Sequence, residues 1–103
     1  MKSFSFEVLF GYGPKFSDSA TFTLELNEDE ISFLKNYIEE NGEYCGYGEI
    51  EHENYELFNK INNAANNAVV EEINKHSEKE VDFFDVDWTG MSFEFYWPQE
   101  LTE

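Results

Sequence analysis

Over the first ten positions polar and apolar side chains alternate: Phe4, Phe6, Val8 and Phe10 interleave with Ser3, Ser5 and Glu7. Successive side chains of an extended chain point to opposite faces, so a period of two predicts a strand with one covered face. The segment Gly11-Tyr12-Gly13-Pro14-Lys15-Phe16-Ser17-Asp18-Ser19 reads as a loop by its Gly, Pro and Ser content. Phe22, Leu24 and Leu26 then alternate with Thr21, Thr23 and Glu25, which predicts a second strand and a hairpin.

The period next changes from two to 3.6. Asn27 stands in N-cap position, Glu30 completes a capping box, and Glu28 and Asp29 suit the positive end of a helix dipole. Ile31, Leu34, Tyr37 and Ile38 form one apolar stripe, and Asn41-Gly42 supplies the stop. Residues 43–52 read as a Gly/Tyr/Glu loop. From about Asn54 to His76, Leu57, Phe58, Ile61, Ala65, Ala68, Val69 and Ile73 keep helical spacing. Asn59, Asn62, Asn63, Asn66 and Asn67 fill much of the opposite face. Asparagine is a mediocre helix former, so packing must hold this helix, with alanines letting it lie close to a sheet.

Val81 to Trp88 predicts a strand whose apolar phase shifts between Phe83 and Phe84, as at a bulge or between two covered faces. Thr89-Gly90 makes a turn. Met91, Phe93, Phe95 and Trp97 alternate with Ser92 and Glu94 until Pro98 ends the run. The order ββααββ predicts an α+β fold, one domain over residues 1–103. Its four-stranded, mostly antiparallel sheet should carry both helices on one face.

Charge changes this picture from a generic small fold to an unusual one. The chain holds 23 acidic residues against 6 basic ones, a net charge of -17 at pH 7, and every basic residue is a lysine. Disordered acidic tails are poor in aromatics, whereas this chain has 11 Phe and 6 Tyr, so the acid belongs on the surface of a packed globule. Self-repulsion on that scale opposes compaction and suits solubility, a salt-rich setting or an electropositive partner. Nucleic-acid phosphates and anionic membranes should be repelled. The single cysteine, Cys45, cannot close an internal disulfide, which fits a reducing cytoplasm. No stretch has the continuous apolar run of a signal peptide or membrane span.

Few motifs suggest chemistry. Phe83-Phe84-Asp85-Val86-Asp87-Trp88-Thr89-Gly90 resembles the opening motif of haloacid-dehalogenase-type phosphatases, an apolar strand followed by Asp-x-Asp-x-Thr. The resemblance implies Asp85 as nucleophile and Asp87 as acid/base, with magnesium. The motif lies near the C-terminus, with too little chain after it for that fold, and no arginine is present to clamp phosphate. Two solvent-facing aspartates before a turn are the simpler reading. As a calcium loop the stretch lacks a bidentate Glu, having Tyr96 in its place. Gly11-Tyr12-Gly13 and Gly46-Tyr47-Gly48 do not complete a phosphate-binding Gly-x-Gly-x-x-Gly, since Phe16 and Glu51 stand at the third position. Cys45 with His52 or His76 is the only conceivable thiol dyad. A reactive thiolate needs electropositive surroundings, and Glu43, Glu49, Glu51 and Glu53 supply the opposite. The chain is therefore expected to work without catalytic residue, cofactor or metal site.

Two acidic clusters stand without a base among them. One runs Glu39, Glu40, Glu43, Glu49, Glu51, Glu53 and Glu56; the other covers Glu80, Asp82, Asp85, Asp87, Glu94, Glu100 and Glu103. Tyr44, Tyr47 and Tyr55 fall inside the first, and aromatics within a polar rim are typical interface anchors. The expected partner-binding set is thus Glu39, Glu40, Glu43, Tyr44, Tyr47, Glu49, Glu51, Glu53, Tyr55 and Glu56. The expected function is a small acidic cytoplasmic inhibitor that neutralises a basic protein. An immunity protein against a nuclease-type toxin, or a phage inhibitor of a host defence nuclease, suits that physical type. A DNA mimic, a small metal-dependent enzyme using Asp85 and Asp87, and an acidic housekeeping domain are the alternatives.

Overall fold

Alternation does make a strand of the first residues. In the computed structural model, which describes residues 1–12, 18–42, 45–75 and 91–102, β1 (Lys2–Tyr12) lies between β2 (Asp18–Leu26) and β3 (Met91–Tyr96) in an antiparallel sheet of order β2-β1-β3. The register sets Phe6 opposite Phe22, Val8 between Ala20 and Phe95, and Phe10 opposite Phe93. All the large apolar side chains of the sheet named here therefore share one face. Phe6 stacks on Phe22 with ring centroids 5.0 Å apart and meets Phe95 at 5.8 Å. The opposite face presents Ser3, Ser5, Glu7, Thr21, Thr23 and Glu25, all exposed. One covered face and one wet face is what strict alternation in an antiparallel sheet produces.

Among the described residues four helices follow or interrupt the strands: α1 (Glu28–Asn41), α2 (Ile50–Glu53), α3 (Tyr55–Lys75) and α4 (Gln99–Thr102). The start of α1 is capped as its sequence requires. Asn27 Oδ1 accepts from the Glu30 N–H at 2.8 Å, and Glu30 Oε1 accepts from the Asn27 N–H at 2.9 Å. At its end Gly42 takes φ 93°, a conformation costly for any residue with a Cβ. The start of α3 is fixed by Asn54, whose Oδ1 accepts from the Leu57 N–H at 3.2 Å.

The core forms where helices cover the apolar sheet face. Phe4, Phe6 and Leu26 pack with Leu34, Tyr37 and Ile38 of α1, Ile50 of α2, Leu57 and Ile61 of α3, Trp97, and Leu101 of α4. Farther along the sheet Val8, Phe10 and Ala20 meet Ala65, Ala68 and Val69 of α3. Small residues there let α3 approach the strands closely. Each buried Phe or Leu contributes about 1.5–3 kcal/mol relative to exposure, so this single layer contact dominates the stabilisation.

The α+β class holds, and three departures from the sequence reading have physical causes. Residues 50–52, assigned to the end of a loop, belong to the helical turn Ile50–Glu53 because fully buried Ile50 anchors it. Gln99–Thr102 is likewise a turn of helix anchored by buried Leu101, with the Leu101 N–H donating to the Pro98 carbonyl at 3.0 Å. A single apolar residue per turn leaves no periodicity to read. Finally, β1 continues through Gly11 and Tyr12, which pair with Ser92 and Met91 of β3. Among the described residues the order is ββαααβα and the sheet has three strands rather than four. The expected strand Val81–Trp88 and turn Thr89-Gly90 lie outside the described residues. No helix among them is long and apolar enough to cross a membrane.

Candidate functional site: the acidic corner between α1 and α2

The segment leaving α1 is pinned at successive residues by aromatic hydrogen-bond donors. Trp97 Nε1 donates to the Cys45 carbonyl at 2.7 Å, and Tyr37 Oη donates to the Gly46 carbonyl at 2.6 Å. Tyr47 Oη donates to Asn62 Oδ1 of α3 at 2.9 Å. The rings belong to the core packing too: Tyr37 lies 6.0 Å from Trp97, and Tyr47 meets Phe95 edge-on at 4.8 Å and Phe58 at 5.8 Å. Buried Tyr and Trp need partners for their polar ends, and for Tyr37 and Trp97 those partners are carbonyls of the loop itself. The Tyr47 and Ile50 backbones then join, Ile50 N–H to Tyr47 carbonyl at 3.1 Å, to start α2.

Outward from this pinned frame the acids are collected. Glu39 and Glu40, in the last turn of α1, are exposed, as are Glu49, Glu51 and Glu53 on and beside α2. Tyr37, Glu40, Asn41, Glu49, His52 and Glu53 line one open depression of about 340 Å³. The negative end of the α1 dipole points here, and the last turn of α1 holds no base. Asn41 Nδ2 donates to the Tyr37 carbonyl at 2.8 Å, satisfying one of the orphan acceptors. Lysine contacts are made elsewhere. Lys60 Nζ pairs with Glu30 at 3.3 Å and donates to the Glu25 carbonyl, Lys75 pairs with Glu72 at 3.2 Å, and Lys2 lies over the Phe4 ring at 5.6 Å.

Of the sequence-derived set, then, Glu40, Glu49 and Glu53 come together. Glu39, Glu51, Tyr55 and Glu56 are exposed nearby without lining the depression, Tyr55 being 60% exposed and stacked on Phe58 at 6.4 Å. Glu43 and Tyr44 lie outside the described residues. Tyr47 differs from the reading of a free interface anchor. Its hydroxyl and ring are committed to Asn62, Phe58 and Phe95, so it shapes the site from within. Tyr37 and Asn41 were missed because Tyr37 fits the apolar stripe of α1 and Asn41 its stop signal. A tyrosine on an apolar stripe is the available hint, since its hydroxyl must reach a polar partner.

Burial shifts three titratable groups at this corner. Burial pushes the Cys45 thiol above its ordinary value. An activated thiolate requires a lowered value. Burial first, and then the proximity of Cys45, Glu49 and Glu53, raises Tyr37, while burial alone raises Tyr47. Both phenols therefore stay protonated donors at neutral pH. Among the described residues no cluster of three or more His, Cys, Asp or Glu side chains could hold a metal ion. Asp85, Asp87 and His76 lie outside them.

A second concavity borders the same loop. Gly46, Tyr47 and Gly48 face Phe58 and Asn62 of α3 and residues 93–96 of β3 around a groove of about 520 Å³. It shares Tyr47, Asn62, Phe93 and Phe95 with a deeper part of about 250 Å³ that reaches Val8, Ala65, Asn66 and Val69. Comparison with protein-family models, curated proteins and solved structures finds no match for the chain.

Proposed function

We propose that this chain is a binding protein that neutralises a basic protein partner, of the type of an immunity protein against a nuclease toxin or an inhibitor of a defence nuclease. The observation that carries the reading is the depression at the end of α1. It gathers exposed Glu40, Glu49 and Glu53 at the negative end of a helix, with no lysine among the described residues that line it. Acid in that place opposes the fold, so its accumulation there is better accounted for by recognition than by stability. The pinned loop beneath supplies rigidity, which lowers the ordering cost of association. A nuclease groove must be electropositive to hold its substrate, and an acidic surface gains fast, steered encounter with it. The same charge disfavours nucleic acid and anionic lipid as direct ligands. The raised Cys45 thiol fits an inert residue in a reducing cytoplasm.

The test begins with a basic protein retained by the immobilised chain at low salt and identified. Association with that purified partner should slow at least tenfold between about 50 and 500 mM salt, because screening shortens the reach of the charges. Neutralising Glu40, Glu49 and Glu53 together to glutamine should flatten that dependence while leaving dissociation little changed. Association that ignores both salt and the triple substitution would remove the electrostatic basis of the reading.

A further inference from the structure

The groove between α3 and β3 combines features that the acidic corner lacks. Its floor is aromatic, with Tyr47, Phe95 and a Phe93 that is 43% exposed. Its wall carries Asn62 and Asn66, half-buried and one turn apart on α3. The Tyr47 hydroxyl occupies Asn62 Oδ1 and so orients that carboxamide, leaving Nδ2 as donor. The Asn66 carboxamide makes no hydrogen bond among the described residues.

The spacing of these amides matches a particular ligand geometry. Positions four apart on a helix are separated by about 6 Å along its axis. An extended chain repeats its same-side main-chain groups every two residues, about 6.6 Å. Two carboxamides so spaced bond successive same-side peptide groups irrespective of sequence, while alternate side chains turn toward the aromatic floor. Sequence preference then comes from the floor and the field. Among the described residues lining the groove the only charged one is Glu94, and the whole chain carries -17, so an acidic segment is repelled and a cationic one attracted.

We propose that this groove takes an extended, lysine- or arginine-bearing segment of the protein partner, its main chain bonded by the Asn62 and Asn66 carboxamides and one apolar side chain seated against Phe93. The inference rests on the reading of the partner as basic, and it adds an anchoring site distinct from the acidic corner. The corner speeds encounter; the groove slows departure.

The test is an NMR titration of the labelled full chain with a synthetic Lys-Leu-Lys-Phe-Lys-Leu-Lys peptide, and with the same peptide bearing glutamate for every lysine. With the lysine peptide, the side-chain amide signals of Asn62 and Asn66 and the ring signals of Phe93 should shift. The glutamate peptide should leave them in place. Asn66→Ala, which favours the helix and so keeps the fold, should weaken the lysine peptide about three- to tenfold, the range for one hydrogen bond. The triple neutralisation of Glu40, Glu49 and Glu53 should keep the pattern of groove shifts. Shifts confined to Glu40, Glu49, His52 and Glu53 would overturn the groove while leaving the acidic-corner reading intact. Equal response to both peptides, or none at millimolar peptide, would overturn it as well. So would cross-peaks placing residues 76–90 against Phe93, or groove shifts that track the concentration of the chain alone, since its own segment or a second copy would then be the occupant.

Discussion

At the N-terminal end of α1, Glu28, Asp29 and Glu30 sit where the helix dipole favours acid; at the C-terminal end, Glu39 and Glu40 sit where it opposes acid. The first end uses its charge for folding. Glu30 closes the capping box with Asn27 and also pairs with Lys60 of α3, tying helix to helix. The second end receives no base in its last turn and is held by neutral means: the Gly42 N–H to the Ile38 carbonyl at 2.7 Å, the Asn41 amide, and the Tyr37 and Trp97 hydrogen bonds to the loop beyond. Identical side chains thus stabilise one end and strain the other. The same segment also divides by side, with Cys45, Tyr47 and Ile50 turned inward and Glu49, Glu51 and Glu53 outward. The inward residues of this short stretch serve the core, and its exposed glutamates form the surface that we propose for recognition.

The largest test of this contrast attacks the neutral clamp. Trp97→Phe removes the indole donor from the Cys45 carbonyl and leaves a cavity beside Phe6, Tyr37 and Phe95. An unpaired part-buried carbonyl and the lost volume together should cost about 2–4 kcal/mol in chemical denaturation. The Cys45 thiol should then react faster with a disulfide reagent as the loop loosens. A loss under about 1 kcal/mol, with thiol reactivity unchanged, would mean that the loop is not held by Trp97.

At the opposite end the expected effect is smaller. Asn27→Ala removes one half of the capping box and should lower stability by about 1 kcal/mol, while Asn27→Ser recovers most of it. Association with the proposed basic partner should be unaltered, because the cap stabilises the helix without belonging to the acidic corner. If Asn27→Ala changed the association rate as much as substitutions at Glu40 or Glu49, the two ends would not be separable.

These contrasts also show what the sequence displays and what it hides. The cap at Asn27 and Glu30, the alternation of Phe4 through Phe10, and the stripe of α1 are local patterns. Each can be read from a few neighbouring residues. The helical turns anchored by Ile50 and Leu101 are hidden because one buried residue makes no period. The roles of Tyr37, Tyr47 and Trp97 are hidden because their partners stand far along the chain: Trp97 bonds to Cys45 and Tyr47 to Asn62. Sequence clustering grouped Glu40, Glu49 and Glu53, which line one depression because acids close in sequence also lie close around a short loop. It could not say that Tyr47 serves the interior, nor that α3 and β3 enclose an amide-walled groove.

The smallest effect carries an unusual sign. Glu39→Gln with Glu40→Gln removes two charges from the unfavourable end of α1, together worth about 0.6 kcal/mol for exposed carboxylates at low salt. Removing most surface charges changes little or destabilises; here the double variant should melt higher, by about 2–5 °C in a domain of this size. The gain should shrink at about 0.5 M salt, where screening has already relieved the repulsion in the parent. Association with the basic partner should slow in the same variant, because these carboxylates extend the field of the depression lined by Glu40, Glu49 and Glu53. Higher stability together with slower association is the signature of charge placed for recognition against the interest of the fold. A variant that melts lower than the parent would show instead that Glu39 and Glu40 have stabilising partners, and the contrast between the two ends of α1 would fail.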